Sequence, residues 1–543
     1  MTQLQSIDPT QGSGPWATVS RNIEKWFDAK AANRALWIFI SLFVVIWTAF
    51  QIISYQSIDL RDDLTEIFAW SRHPSAGYYK HPPLAALMAA IWFAVFPVAD
   101  WSYHLLAMLN SALGLIFVDL IARRYLDGDK RLLVLLLLLL TPFYQFHGQR
   151  FNPNQTLLSA WPMATYCFLR AFETRAWIWS IAAGATAALA MLGKYYSIYL
   201  VVGIVVAALS HPARSAYLRS PSPYVSTLVG LACIAPNLWW LLNNGTETLA
   251  YVWQSHGQSS IEILFQKTVL YALGGVAYVA PVLAVYIVAA RPDLRTIKSI
   301  VWPAIPDRRM LVVLLAVLLI LPMLTAPAFG LVLTPLWTMS AWFLLPIVLL
   351  MPERIEVTRR VAVFIAAGVL AISVLMVAAA PAVAVARFVD EENNMFARAY
   401  YRIVTAELAS VWHRTMGRPL TIVVGDFHTS LAITFYDSSH PDSIPEFQRH
   451  AAPWVTDERL KREGWAAVCI NFDMLCMAEA DRLAGQTSDA AFVTYKARKS
   501  CSVSKRHRCK RHSCSSRRGR DVTFQTSPPA APDLIPRSSR PRS

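Results

Sequence analysis

Residues Pro83 to Val98, PLAALMAAIWFAVFPV, decide the fold, because every later segment changes side if this run crosses a membrane. The run is apolar, but it is only 16 residues long and prolines stand at its entry. A spanning helix needs roughly 20 predominantly apolar residues. Eleven other stretches approach or reach that length: 35–54, 102–121, 132–147, 156–172, 177–193, 195–210, 223–242, 268–290, 310–327, 330–351 and 361–386. Short cytoplasmic loops carry an excess of Lys and Arg, which separates the two arrangements. With the N-terminus inside and 83–98 lying flat on the outer surface, the inside loops collect 16 Lys and Arg. The outside loops up to residue 330 then hold only Arg61, Arg72, Lys80, Arg150, Lys194 and Lys267. A crossing 83–98 would reverse that bias. The non-crossing arrangement is therefore expected, with 55–82 and everything after about 387 outside.

Composition agrees with a membrane protein. Of 543 residues 55% are hydrophobic and 16% charged, against about 25% charged in an ordinary soluble protein. This excludes a soluble globular enzyme and a disordered chain. The formal net charge of +15 would suggest a nucleic-acid partner, but it is unevenly placed. Residues 496–543 hold 14 Lys and Arg against Asp521 and Asp533, a balance of +12, which leaves the rest at +3. No nucleic-acid partner is expected. Residues 1–34 precede a 20-residue apolar run without an A-x-A-like cleavage site and read as an uncleaved cytoplasmic N-terminus.

Residues 387–497 are more polar and alternate strand with helix. Strands are expected at Leu420–Gly425, Trp465–Ile470 and Ala490–Tyr495, with helices through Ser430–Tyr436 and Met474–Leu483. A small outer α/β domain follows, in an oxidising compartment, and a disulfide between Cys469 and Cys476 is left open. Residues 498–543 read as a disordered basic tail, and as sequence out of frame. Cys501, Cys509 and Cys514 with His507 and His512 match no standard zinc spacing, so no metal is assigned.

Polar residues gathered at one surface of an apolar protein are the informative ones. The densest gathering is the first outer loop, 55–101. It holds Asp62, Asp63 and Glu66, then Gly77-Tyr78-Tyr79-Lys80-His81-Pro82-Pro83-Leu84. Asp63 and Glu66 share a helix face, and a carboxylate there can take a proton from an incoming hydroxyl. Lys194, in a two-residue hairpin between apolar helices, and Arg150 are candidates for a lipid phosphate, with Lys80 or His81 completing the cage. Asn154-Gln155-Thr156 and Asn244-Gly245-Thr246 also match short glycosylation sequons.

Asp63-x-x-Glu66, Trp70-Ser71 and Gly77–Leu84 together resemble the first-loop signature of the bacterial glycosyltransferase family 39 group. That group is related to protein O-mannosyltransferases and to the aminoarabinose transferase that modifies lipid A. Phe151-Asn-Pro-Asn154, Leu192-Gly-Lys-Tyr-Tyr196 and Pro236-Asn-Leu-Trp-Trp240 follow in the group's order, and the likeness covers roughly 35–350. It implies an all-α polytopic GT-C fold over 35–386, with about 11 spans and interfacial helices in the first loop. It also implies a polyprenyl-phosphate sugar donor and a bacterial inner membrane, with the active site and the C-terminal domain facing the periplasm. The group's catalytic base is an acid of the first loop. Asp63 matches it best, with Asp62 and Glu66 as the other two. His81 inherits a place near the donor phosphate. Asn152, Asn154 and Tyr195 complete the implied substrate-binding set with Lys80, Arg150 and Lys194. The reaction implied is an inverting transfer to a hydroxyl of a lipid, glycan or protein; no cofactor is expected, and the sequence demands no metal, although the acidic loop could bind one.

Two other classes compete. A flippase or transporter of lipid-linked sugars would also be multi-spanning, but transporters place ionisable residues at mid-membrane, whereas these charges line the outer rim. A membrane sensor acting through 387–497 would not need so many spans.

Overall fold

The computed structural model describes residues 14–29, 33–392, 398–470, 473–484, 491–497 and 520–527. It divides into two compact units, one formed by the chain up to Gln56 and Pro74–Ala384, the other by Ser57–His73 and the chain from Val385 onward.

The first unit is helical. Helices α1 (Pro15–Asp28) and α2 (Arg34–Tyr55) open the chain, while α3 (Asp62–Ser71) belongs to the second unit. The first unit resumes with α4 (Leu84–Phe93), α5 (Asp100–Ala122), α6 (Asp129–Leu138), α7 (Pro153–Thr174), α8 (Trp177–Gly193), α9 (Ile198–Ser210) and α10 (Arg214–Leu218). It continues with α11 (Ser222–His256), α12 (Ile261–Ala290), α13 (Leu294–Val301), α14 (Pro306–Ala328), α15 (Leu345–Leu350) and α16 (Arg359–Glu392), whose end from Val385 belongs to the second unit. Helix α7 packs between α5 and α8, α8 also against α11, and α9 against α14. Backbones meet closely where glycine permits it: a Cβ on Gly114 of α5 would lie 2.1 Å from the Leu158 carbonyl oxygen of α7.

Six helices among the described residues, α2, α5, α11, α12, α14 and α16, are long and apolar enough to cross a membrane. The protein is multi-pass, but the structure does not carry eleven spans of that kind. The run 132–147 breaks at Thr141-Pro142 into α6 and a π-helical turn, Phe143–His147. The run 330–351 becomes 3-10 turns from Pro335 and the six-residue α15. Proline removes an intrahelical donor and crowds the preceding turn, which accounts for both breaks. Helix α4 has 10 residues and rises about 15 Å, half of the roughly 30 Å hydrocarbon core. It is too short to cross, in keeping with the loop charges. Asn243 and Asn244 do not end a span. Their amides donate to the Trp239 and Trp240 carbonyls of their own helix, and α11 runs on to His256.

The second unit is an α/β domain. After α17 (Tyr401–Met416) come β1 (Ile422–Gly425), α18 (Phe427–Tyr436), β2 (Asp442–Pro445), α19 (Asp457–Glu463), β3 (Trp465–Ile470), α20 (Met474–Ala484), β4 (Ala491–Ala497) and β5 (Arg520–Ser527). The sheet order is β2-β1-β3-β5-β4, with β1 parallel to β2 and β3, and β5 antiparallel to β3 and β4. Alternation along the strands makes two cores. Val423, Ala466 and Val468 pack with Leu408 and Trp412 of α17, whereas Ile422, Val424, Ala467 and Cys469 pack with Cys476 and Ala480 of α20. Cys469 and Cys476 form a disulfide.

Two sequence readings are corrected here. Residues 57–73, taken as part of the membrane domain, fold into the α/β unit, with α3 against α18. Residues 520–527, taken as disordered tail, form β5. Their sequence Val522-Thr-Phe-Gln-Thr526 alternates as a strand should, and basic flanks masked the pattern. The candidate zinc cluster at 501–514 lies outside the described residues.

Candidate functional site

Lys194 is where two apolar helices meet. It leaves α8 in extended conformation, so its side chain projects from the helix end rather than along it. The ammonium donates to Asn154 Oδ1 at 2.6 Å and stands 4.2 Å from the centre of the Trp337 ring. Asn154 is itself fixed by the cap before it. Asn152 accepts from the backbone N–H groups of Asn154 and Gln155 at 3.0 and 3.1 Å, and Pro153 supplies the first helical residue of α7. Asn152 thus acts as a helix cap, and Asn154 is the member of the pair that reaches the lysine.

The loop after residue 74 is fastened by the next motif. Asn237, buried inside α11, donates to the Ala76 carbonyl at 2.7 Å and accepts from the Tyr195 hydroxyl at 3.1 Å. The Trp240 ring lies so close to Gly77 that a Cβ there would meet it at 2.4 Å. Three separated motifs, Gly77–Leu84, Lys194–Tyr195 and Pro236–Trp240, therefore converge. Tyr195 is a hydrogen-bonding strut in this arrangement, not an exposed stacking surface.

The loop so held carries Lys80 and His81. The Lys80 ammonium stands 5.2 Å from the Tyr79 ring centre and 5.7 Å from that of Tyr251, and the His81 ring meets Tyr251 edge-on at 5.8 Å. Enclosure, followed by the charges of Lys194, Lys80 and His256, pushes the His81 pKa down to about 3, so its imidazole is neutral at physiological pH. His256 meets Trp337, the ring under Lys194, edge-on at 4.9 Å. Its loop is pinned by a bridge between Gly257 and Leu331. A set of basic side chains and aromatic rings results, Lys80, His81, Lys194 and His256 with Tyr251 and Trp337, in which the two lysines carry the fixed charge. Like charges repel one another in such a set, and a bound anion relieves them. The Arg150 backbone N–H closes a turn on His147. His256, Trp337 and Tyr251 were missed from the sequence, since no local spacing marks them.

The three acids stand in the second unit. Asp62 and Asp63 occupy the first turn of α3, where the helix dipole favours negative charge. Asp62 Oδ2 pairs with His428 Nδ1 of α18 at 3.5 Å. Burial raises the Asp62 pKa, but the hydrogen bond and charge of His428, with the charge of Arg61, outweigh it and hold the carboxyl at about 2. Asp63 is half-buried and Glu66 buried. Among the described residues no three His, Cys, Asp or Glu side chains are grouped as metal ligands would be.

Residues 80–240 match the model of the dolichyl-phosphate-mannose-protein mannosyltransferase family. Lipid A galacturonosyltransferase RgtD from Rhizobium johnstonii is 23% identical over 276 residues, which cover 49% of this chain and 58% of that protein. The chain thus spans less than two thirds of this curated relative. The crystal structure of ArnT from Cupriavidus metallidurans bound to undecaprenyl phosphate superposes with a TM-score of 0.55 at 13% identity, covering 91% of this chain and 98% of that one. The apo form of the same protein gives 0.53 with the same coverage. The ArnT likeness shows the fold. Over residues 80–240 the chain is similar in sequence to the mannosyltransferase family, and over about half its length to the curated galacturonosyltransferase.

Proposed function

We propose that the protein transfers a sugar from a polyprenyl phosphate to an acceptor hydroxyl, with inversion, at the outer face of the inner membrane. The gathering of Lys80, His81, Lys194 and His256 around Tyr251 and Trp337 carries this reading. A polyprenyl phosphate leaves with growing negative charge, and preplaced cations stabilise that charge as it develops. Lys194 and Lys80 supply fixed positive charge, and His81 gains a proton as the anion arrives. Asn154 aims the Lys194 ammonium. Asp63 takes the acceptor's proton while the acceptor oxygen bonds to the anomeric carbon and the carbon–phosphate oxygen bond breaks. The lipid phosphate is a good leaving group, so no second acid is required, unlike glycoside hydrolysis. Asp63 is preferred to Asp62 because Asp62 is committed to His428 and is too weakly basic, and to Glu66 because Glu66 is buried. The name of the curated relative favours a lipid acceptor. The transfer proceeds in this reading without a metal, so chelation leaves its rate unchanged.

The test is incubation of the purified protein with undecaprenyl-phosphate sugars and an envelope-lipid extract. Release of undecaprenyl phosphate with a matching mass gain on an acceptor is expected, and Asp63→Asn should remove it. Relocation of an intact lipid-linked sugar without lipid phosphate release would overturn the reading in favour of a transporter. Full activity in Asp63→Asn would move the base to Asp62 or Glu66.

A further inference from the structure

Residues 57–73 carry the acid pair, and they fold in one compact unit with the chain from Val385 onward. Asp59, buried, accepts from the Arg402 backbone N–H at 3.1 Å and pairs with its guanidinium at 3.2 Å. The Leu60 N–H donates to the Tyr436 hydroxyl at 2.7 Å. Phe68 meets Phe435 edge-on at 5.1 Å, and His73 Nε2 lies 2.6 Å from Asp442 Oδ1. A 10-residue helix is marginal in water by itself, so these contacts decide where α3 stands and how its first turn points. Most of them are apolar or backbone contacts. Asp59–Arg402 and His73–Asp442 are ionic too, but the Asp62–His428 pair differs from them in adjoining Asp63 in the chain.

We infer that His428 is a positioning residue for the acid helix: its imidazolium, paired with Asp62, fixes the first turn of α3 and with it the Asp63 carboxylate. The consequence for transfer rests on the reading above, but the hold on the loop does not. The groups facing His428 support a charged ring. Burial lowers its pKa, and Asp62, then Asp426 and Glu446, raise it above its ordinary value, with Arg61 facing the same carboxylate. The sign follows from linkage: a histidine whose pKa is raised on folding adds its full hold below the unfolded value of about 6.5. That hold is lost as pH rises through the folded value. The loop should therefore loosen at alkaline pH.

The test uses the full chain in detergent. Amide exchange is followed in peptides covering 57–73 from pH 6 to 9, corrected for intrinsic rates, with β3 peptides as the folding control. His428→Gln should raise exchange in 57–73 at least fivefold at pH 6 and leave β3 unchanged. Asp62→Asn should do the same, and the double variant should add nothing. His428→Lys keeps the positive charge, so it should restore protection and flatten the pH dependence. In the transfer assay His428→Gln should lower kcat about tenfold with the donor KM within twofold, and His428→Lys should recover most of it. Unchanged exchange in His428→Gln, or additivity with Asp62→Asn, would overturn the inference. The expected exchange changes in a wild-type protein that transfers no sugar would leave it standing and overturn the functional reading alone.

Discussion

The cations and the acids of the proposed reaction are built on different kinds of structure. Lys194 and Asn154 sit at the ends of α8 and α7, which pack against each other. Their positions follow from apolar burial and one helix cap, and they survive small changes nearby. Asp62 and Asp63 sit on a short helix whose place is set by Arg402, Tyr436, His428 and Asp442 of a sheet domain. The first arrangement yields a fixed charge trap. The second yields an acid whose aim depends on contacts that a single proton or substitution can weaken. Substitutions in the two regions should therefore fail differently, the first in donor binding and the second in turnover.

The largest effect tests the second region. Asp63→Asn should lower kcat by about 10²- to 10⁴-fold, the usual worth of a general base. Its affinity for undecaprenyl phosphate should stay within twofold of the wild type. Lys194→Met should do the opposite. Losing a charge-assisted hydrogen bond of about 1.5–3 kcal/mol weakens binding of undecaprenyl phosphate roughly 10- to 100-fold, read by titration of the purified protein. If both variants lose binding equally, the comparison between the regions breaks.

A smaller effect is read from pH. In the ligand-free protein His81 is held at about 3 by enclosure and by neighbouring positive charge, against about 6.5 when unfolded. A histidine with a depressed pKa contributes its full stability above 6.5 and loses it as pH falls from 6.5 toward 3. The thermal midpoint should therefore drop across that window more steeply in the wild type than in His81→Asn. Undecaprenyl phosphate should relieve the drop, since the anion lets His81 keep a proton. Equal slopes in the two proteins would show that His81 does not feel the cluster.

What the sequence made legible follows from range. The shortness of Pro83–Val98, the lysine in the α8–α9 hairpin and the strand Trp465–Ile470 are local patterns, and each stands where it was expected. The anion set was half legible. Lys80, His81 and Lys194 are exceptional residues in apolar surroundings, while His256 and Trp337 join them only through folding. His428 was illegible for the same reason, as was the tie between Leu60 and Tyr436, which lie 376 positions apart. Strand β2, Asp-Ser-Ile-Pro, has too few apolar residues to alternate visibly. Helix α11 was cut short because Asn243 and Asn244 look like a terminus, yet their side chains bond within the helix. Residues expected to bind substrate divided in the same way. Asn152, expected to bind substrate from the resemblance of its motif, caps the start of α7, while Asn154 reaches the lysine.

The smallest effect tests that last distinction. Asn152→Ala removes the side-chain acceptor for two backbone N–H groups at the start of α7, a loss of about 1 kcal/mol. Asn154→Ala leaves the cap in place and removes the acceptor that aims Lys194. The first variant should lower the thermal midpoint by a few degrees and weaken undecaprenyl phosphate binding at most threefold, because Asn154 shifts only as far as the frayed turn allows. The second should leave the midpoint nearly unchanged and weaken binding more than the first. A reversed order would mean that Asn152 touches the ligand directly and that the cap is incidental.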